Sequence, residues 1–105
     1  MADERESRYL SMIEQFPESP LGYFSLGRYY LEQARFVDAA AQLSKCVALD
    51  ATYAAALLSL GDAYAGDENW AEARGAYARA RAAAMAQNHP TLAKEIDERV
   101  EELRG

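Results

Sequence analysis

Apolar residues recur at helical spacing in two copies along this chain. The i, i+3, i+4, i+7 spacing is typical of one face of an amphipathic helix. In the first copy this face is formed by Tyr23, Leu26, Gly27 and Tyr30. The same spacing returns 34 residues later with Leu57, Leu60, Gly61 and Tyr64. The pattern therefore predicts one helix at the start of each copy.

A second apolar stripe follows each of these helices after a short break. The first break lies around residues 33–36, and the second is the turn-forming run Gly66-Asp67-Glu68-Asn69, in which Asn69 is the expected N-cap. The stripe after the first break comprises Phe36, Ala39, Leu43, Cys46 and Val47. The stripe after the second comprises Trp70, Ala73, Tyr77 and Ala80. Each copy is thus predicted to be a helix-turn-helix unit, one over residues 20–53 and the other over 54–87.

One further helix is predicted on each side of these units. Upstream, Tyr9, Met12 and Pro17 fall 34 residues before Leu43, Cys46 and Ala51, so residues 3–16 are expected to form the second helix of a truncated unit. Downstream, residues 90–104 carry an apolar stripe made of Leu92, Ala93, Ile96, Val100 and Leu103. The opposite face is predicted to be solvated and consists of Glu95, Glu98, Arg99, Glu101 and Glu102. Such a helix is typical of the polar caps that keep repeat proteins soluble.

The glycines of the two stripes indicate close helix packing. Residues 20–53 and 54–87 share six identical positions, and four of them form the string Ser-Leu-Gly-x-x-Tyr that begins at Ser25 and again at Ser59. A glycine inside a helix costs about 1 kcal/mol relative to alanine, so a repeated one implies a compensating contact. We expect Gly27 and Gly61 to admit Ala39 and Ala73 of the paired helix. In the third stripe Asp97 occupies the glycine position, where no partner helix is predicted to follow.

This pattern resembles the tetratricopeptide repeat, whose period is 34 residues and whose unit is a helix-turn-helix. The resemblance rests on Tyr23, Leu26, Gly27, Tyr30, Ala39, Leu43 and Cys46 and on their counterparts in the second copy. It departs from the family at Ala51 and Met85, where a helix-ending proline is usual, and at Leu57, where an aromatic residue is usual. The resemblance implies an all-α, right-handed superhelix of about six antiparallel helices, forming a single domain over 1–105.

The resemblance also implies a concave groove, lined by the first helix of each unit, that receives a peptide or helix of a partner protein. The candidate groove residues are Leu21, Phe24, Arg28, Leu31, Glu32, Ala55, Leu58, Asp62 and Ala65. An alternative places the apolar members of this set, Phe24, Leu31 and Leu58, beneath the flanking helices as core. The lysines and asparagines with which some tetratricopeptide domains hold a C-terminal carboxylate are missing from these positions.

Charge and composition narrow the possible partners. The formal net charge of -6 argues against nucleic-acid binding, which needs a basic surface. The sequence has no apolar run long enough for a membrane span, and its charged start, Asp3-Glu4-Arg5-Glu6, differs from a signal peptide. A single cysteine favours a reducing compartment, so we expect a cytoplasmic protein without a membrane partner. A monomer is favoured over a homo-oligomer, and nine arginines against two lysines favour a bacterial source.

Catalytic chemistry has little support in the sequence. His89, the only histidine, lies in a predicted helix-start turn where a capping or solvated role is expected, and Cys46 occupies a position predicted to be core. No metal-ligand spacing, phosphate-binding loop or nucleophile motif is present, so no metal, cofactor or catalytic residue is predicted. The leading hypothesis is a protein-binding scaffold or adaptor that is not an enzyme. The alternatives are a self-assembling structural module or a non-catalytic subunit of a larger complex, and, third, an enzyme with a reactive Cys46.

Overall fold

Six α-helices and no strand are formed by residues 3–104, which are the residues that the computed structural model describes, with only the backbone of Arg104 included. The helices are α1 (Glu4–Gln15), α2 (Pro20–Glu32), α3 (Phe36–Leu49), α4 (Ala54–Gly66), α5 (Trp70–Ala86) and α6 (Pro90–Arg104). Met1, Ala2 and Gly105, which the predicted domain includes, lie outside the described residues. The prediction of an all-α chain is confirmed. Within 3–104, no helix is sufficiently long and apolar to cross a membrane.

Local sequence signals set several of the helix ends. The side chain of Asp3 accepts a hydrogen bond from the backbone N–H of Arg5 at 2.8 Å, and that of Ser19 accepts one from Leu21 at 3.3 Å. Pro20 is the first residue of α2, where its missing N–H costs nothing. Asn69 is the N-cap residue of α5, as expected, but its side chain makes no capping hydrogen bond.

Three connections contain a non-glycine residue in the left-handed region. These residues are Ala34, Glu68 and Asn88, with φ of 58°, 59° and 57°. In each case the next residue donates a backbone hydrogen bond to the preceding helix, as Arg35 does to the carbonyl of Tyr30 at 2.9 Å. This bond closes the end of the helix and turns the chain toward the next one. None of the three positions has glycine, which is the residue that most often adopts this conformation at a helix end.

Each helix packs on the next one along the chain, and α4 also contacts α2 and α6. The close approach expected at the two motif glycines is present, and its shortest contacts are made by larger side chains than expected. A Cβ at Gly27 would lie 2.6 Å from Cγ of Leu43, and a Cβ at Gly61 would lie 2.5 Å from Cδ1 of Tyr77. The expected Ala39 is also close to Gly27, since its carbonyl oxygen would lie 3.4 Å from that Cβ. Because both contacts join positions equally far from the connecting turn, α2–α3 and α4–α5 run antiparallel.

The core lies between α2, α3, α4 and α5 and extends to α6. Its largest fully buried side chains are Tyr77, Leu26, Leu43, Leu57, Ile96 and Cys46. Helix α1 has no fully buried residue and packs on α2, where Gly22 leaves room for Ile13. Two arginines hold α1 electrostatically, since Arg5 pairs with Glu32 at 3.2 Å and Arg35 pairs with Glu6 at 3.5 Å.

Candidate functional site

Helix α4 is the central element of the fold and the floor of the candidate site. It contacts α2, α3, α5 and α6, and eight of its 13 residues are buried. Its sequence, AAALLSLGDAYAG, contains one charged residue, Asp62. A helix that is apolar on nearly all sides is one that neighbours surround. The exposed part of α4 is consequently a narrow apolar strip with Asp62 near its C-terminal end.

Helices α2 and α6 flank this strip and form the two walls of a pocket of about 170 Å³. We call it the inner pocket. It is lined by Arg28 and Leu31 from α2, by Ala55, Leu58, Ser59 and Asp62 from α4, and by Leu92, Glu95 and Arg99 from α6. Three leucines, one from each helix, contribute to its apolar surface, and four charged side chains contribute to its polar surface.

A second pocket of about 350 Å³ continues from the first toward the connections between helices. This turn pocket is lined by Asp50, Thr52, Tyr53, Ala54, Ala55, Gln87, His89 and Leu92. The side-chain amide of Gln87 donates to the carbonyl of Thr52 at 2.7 Å, which ties the two connections together. Because Ala55 and Leu92 line both pockets, the two form one continuous depression along α4, here named the α4 groove.

A hydrogen-bonded charge network lies at the inner end of the α4 groove. The hydroxyl of Tyr77 donates to Oδ1 of Asp62 at 2.6 Å, and Nε of Arg99 lies 3.3 Å from the same oxygen. Arg99 also lies 4.0 Å from a carboxylate oxygen of Glu95. Burial raises the pKa of Asp62, while the Tyr77 hydrogen bond and the Arg99 charge oppose the rise. The network connects α4, α5 and α6, so it positions α6 as a wall of the groove.

Tyr53, which lines the turn pocket, packs against Phe24 beside the groove. Their rings are stacked, with centroids 4.9 Å apart and planes at 30°. The guanidinium carbon of Arg28 lies 5.8 Å from the centroid of Phe24, within the range of a cation–π contact. Arg28 takes part in none of the ion pairs formed among residues 3–104. The α4 groove therefore presents an exposed cation that has no carboxylate partner in this part of the chain.

Five of the nine predicted groove residues come together in the inner pocket: Arg28, Leu31, Ala55, Leu58 and Asp62. The other four lie elsewhere. Phe24 stacks beside the groove on Tyr53, and Leu21 is exposed at the start of α2. Glu32 pairs with Arg5 of α1, and Ala65 is half-buried against the core. The alternative placed Phe24, Leu31 and Leu58 in the core. This holds for Leu58, which is 7% exposed, whereas Phe24 and Leu31 are only half-buried.

The sequence interpretation missed the groove residues of α6 and of the connections. Glu95 and Arg99 were predicted to be solvated, but both are half-buried and line the inner pocket, so that prediction is wrong for these two. The sequence did contain a signal for this position of α6. The stripe of α6, with Asp97 in the glycine position, follows the pattern of the first helix of each unit. Such a helix is expected to lie beside α4 as α4 lies beside α2. His89 is exposed as expected, and its position in the turn pocket had no signal in the sequence.

Comparison with known proteins shows a likeness in fold. No family model matches this chain, and no curated protein matches it. The solution structure of protein BPP2914 from Bordetella parapertussis, a target of the Northeast Structural Genomics Consortium, is similar with a TM-score of 0.84. The two sequences are 29% identical, and the match covers 99% of this chain and 90% of that one. The arrangement of the six helices is therefore shared with a protein of experimentally determined structure.

Proposed function

We propose that this chain is a tetratricopeptide-like superhelical domain that binds a peptide or helical segment of a partner protein in the α4 groove. In this proposal it is a cytoplasmic, monomeric scaffold or adaptor without catalytic activity. The repeated apolar pattern supports the superhelix, and so does the packing of each helix on the next. The contacts of α4 with both α2 and α6 are those expected when the first helices of successive units line one surface.

The single observation that carries the binding proposal is the convergence of two helix walls on an apolar floor. Leu31 of α2, Leu58 of α4 and Leu92 of α6 meet in the inner pocket. At about 170 Å³ this pocket is below the roughly 300–1,000 Å³ typical of small-molecule sites. It has the size to receive one side chain, while the turn pocket extends the contact along α4. A depression of this shape suits a protein segment whose side chains enter successive pockets.

The proposal is tested with a library of random dodecapeptides displayed on phage and selected on the wild-type protein. The groove is blocked with Ala55→Arg, because Ala55 lines both pockets and its side chain is half-buried. The matched control is Ala78→Arg, which places the same side chain on an exposed position of α5. We expect selected peptides to bind the wild type and the control and to lose binding to Ala55→Arg.

Both variants are first compared with the wild type by circular dichroism, so that loss of binding is scored only for a folded protein. Selection of no peptide would overturn the proposed function. Equal binding of the peptides to Ala55→Arg and Ala78→Arg would overturn the assignment to the α4 groove.

Self-assembly is a second candidate, favoured by exposed apolar side chains at the corner between α1 and α2. Phe16 is 62% exposed and Leu21 is 54% exposed. Exposed apolar surface of this kind can mark an interface between proteins. Light scattering over a concentration series tests this candidate, and a constant monomer mass would overturn it. Loss of association in Phe16→Ser would support it.

A further inference from the structure

Three of the charged groups that line the α4 groove form ion pairs with one another. Arg99 lies next to both Asp62 and Glu95, so the charge of Arg99 is shared between two carboxylates. Two charged groups remain outside these pairs, Arg28 in the inner pocket and Asp50 in the turn pocket. Neither takes part in an ion pair among residues 3–104. One charged side chain at each end of the groove, Arg28 and Asp50, is thus without an ion-pair partner in this part of the chain, and the two are of opposite sign.

Both charged groups are held in place by contacts within the chain. Arg28 packs over the ring of Phe24, which leaves its guanidinium able to form two parallel hydrogen bonds with a carboxylate. Oδ1 of Asp50 accepts hydrogen bonds from the backbone N–H and the hydroxyl of Thr52, each at 3.1 Å. Those bonds occupy one carboxylate oxygen. The other oxygen, Oδ2, can accept a bond from a cation.

The length of the groove along α4 sets how many residues of a bound segment it can hold. From Ala54 to Asp62 the axis of α4 advances about 12 Å, at 1.5 Å per residue. An extended chain covers this distance in about four residues, at roughly 3.3 Å each. Arg28 lines the inner pocket together with Leu31 and Leu58, and none of these three residues lines the turn pocket.

We infer that the α4 groove selects a partner segment with an ordered charge pattern. An acidic residue binds Arg28, an apolar residue next to it enters the inner pocket, and a basic residue further along the segment binds Asp50 in the turn pocket. This inference rests on the proposed function, because it specifies the chemistry of the segment bound there.

The test uses the peptides selected from the random dodecapeptide library, synthesised with blocked termini and a fluorescent label. Affinity is measured by fluorescence anisotropy for each peptide and for a version in which its acidic residue is replaced by glutamine. Loss of a hydrogen bond between charged groups weakens binding by about ten-fold or more. We expect the glutamine version to bind the wild type more weakly than the original peptide by this factor. The two versions should bind Arg28→Gln with nearly equal affinity.

The second half of the inference is tested in the same way at the other end of the groove. Replacing the basic residue of the peptide by glutamine is expected to weaken binding to the wild type and to have little effect on Asp50→Asn. The asparagine retains an oxygen that can accept the bonds from Thr52, so the turn is kept while the charge is removed. Arg79→Gln, an exposed change on α5, is the control and should retain both charge dependences.

The outcomes separate this inference from the proposed function. If no peptide is selected, both fail. If peptides bind and Ala55→Arg blocks them, but the glutamine versions bind equally well, only the charge pattern fails. If Arg28→Gln retains the full dependence on the acidic residue, Arg28 is not its partner and the inference fails. If the selected peptides match a segment of this chain and the protein self-associates, the occupant is a second copy and the inference fails.

Discussion

Gly61 and Gly75 provide a matched test of how α4 and α5 pack. Both are glycines inside helices, and both are exchanged for alanine. At Gly75 a Cβ would have no heavy atom within 4 Å, whereas at Gly61 it would lie 2.5 Å from Cδ1 of Tyr77. The Tyr77 ring cannot move away easily, because it is only 2% exposed and its hydroxyl is bonded to Asp62 at 2.6 Å. The two substitutions are therefore expected to have opposite effects.

The expected changes in the free energy of unfolding combine two opposing contributions, helix propensity and overpacking. Alanine is favoured over glycine inside a helix by about 1 kcal/mol, and this gain applies to both positions. Gly75→Ala should therefore raise the free energy of unfolding by about 1 kcal/mol. Overpacking a dense core costs about 1–3 kcal/mol, so Gly61→Ala should be destabilised by up to about 2 kcal/mol. The difference between the two variants, about 1–3 kcal/mol, isolates the packing term because the helix propensity cancels.

The assay is equilibrium unfolding in urea, followed by circular dichroism in the far ultraviolet. An unchanged dependence of the free energy on urea concentration would show that both variants unfold like the wild type. Gly27→Ala tests the first unit and should resemble Gly61→Ala, since its Cβ would lie 2.6 Å from Cγ of Leu43. If Gly61→Ala is as stable as Gly75→Ala, the contact of Tyr77 with Gly61 does not limit the size of the residue at position 61.

Three further predictions follow from the charge network and the buried thiol. Because burial raises the pKa of Asp62 above its ordinary 3.8, its contribution to stability is greatest below that pH and is lost as pH rises through the raised value. The free energy of unfolding of the wild type minus that of Asp62→Asn should therefore fall as pH rises above 3.8 in urea titrations, and a rise would contradict this. Arg99→Ala should cost about 1–3 kcal/mol, since it leaves Asp62 half-buried without its cation. Arg81→Ala should cost less than about 1 kcal/mol, since its pair with Asp97 is half exposed on both sides; equal losses in the same unfolding assay would count against the network. Burial raises the pKa of Cys46 from 9.0 to about 11, so iodoacetamide should alkylate the native protein at least about 100-fold more slowly than the urea-unfolded chain, as measured by mass spectrometry. Equal rates would show an accessible thiol and would revive the hypothesis of a reactive Cys46.

The helices were predictable because their signals are local. The apolar periods and the breaks between them predicted helices over 3–16 and 90–104, and the structure places α1 at Glu4–Gln15 and α6 at Pro90–Arg104. The sequence also showed that the stripe of α6 follows that of α4 by 36 residues, two more than the repeat of 34. The structure explains this shift. Helix α5 has 17 residues and α3 has 14, while the connection after α5, residues 87–89, is one residue shorter than the connection 50–53.

The candidate site was only partly predictable because it depends on distances across the fold. Helical spacing placed Arg28 and Asp62 on the outward faces of α2 and α4, and both line the inner pocket. Spacing within one helix carries no information about which residue of a distant helix approaches them. The pairing of Asp62 with Tyr77 and Arg99 depends on how α5 and α6 dock on α4. The solvated face predicted for α6 consequently contained too many residues, because it included Arg99.

Helix α6 differs from α2 and α4 on one face and completes the candidate site on the other. Asp97 stands where the first helices of the two units have glycine, and it is exposed in a pair with Arg81. A charged side chain at that position does not permit the close approach that Gly61 permits to Tyr77. On the inner face, Leu92 and Arg99 close the α4 groove. Because Arg99 both pairs with Asp62 and lines the inner pocket, the docking of α6 and the shape of the groove depend on the same ion pair.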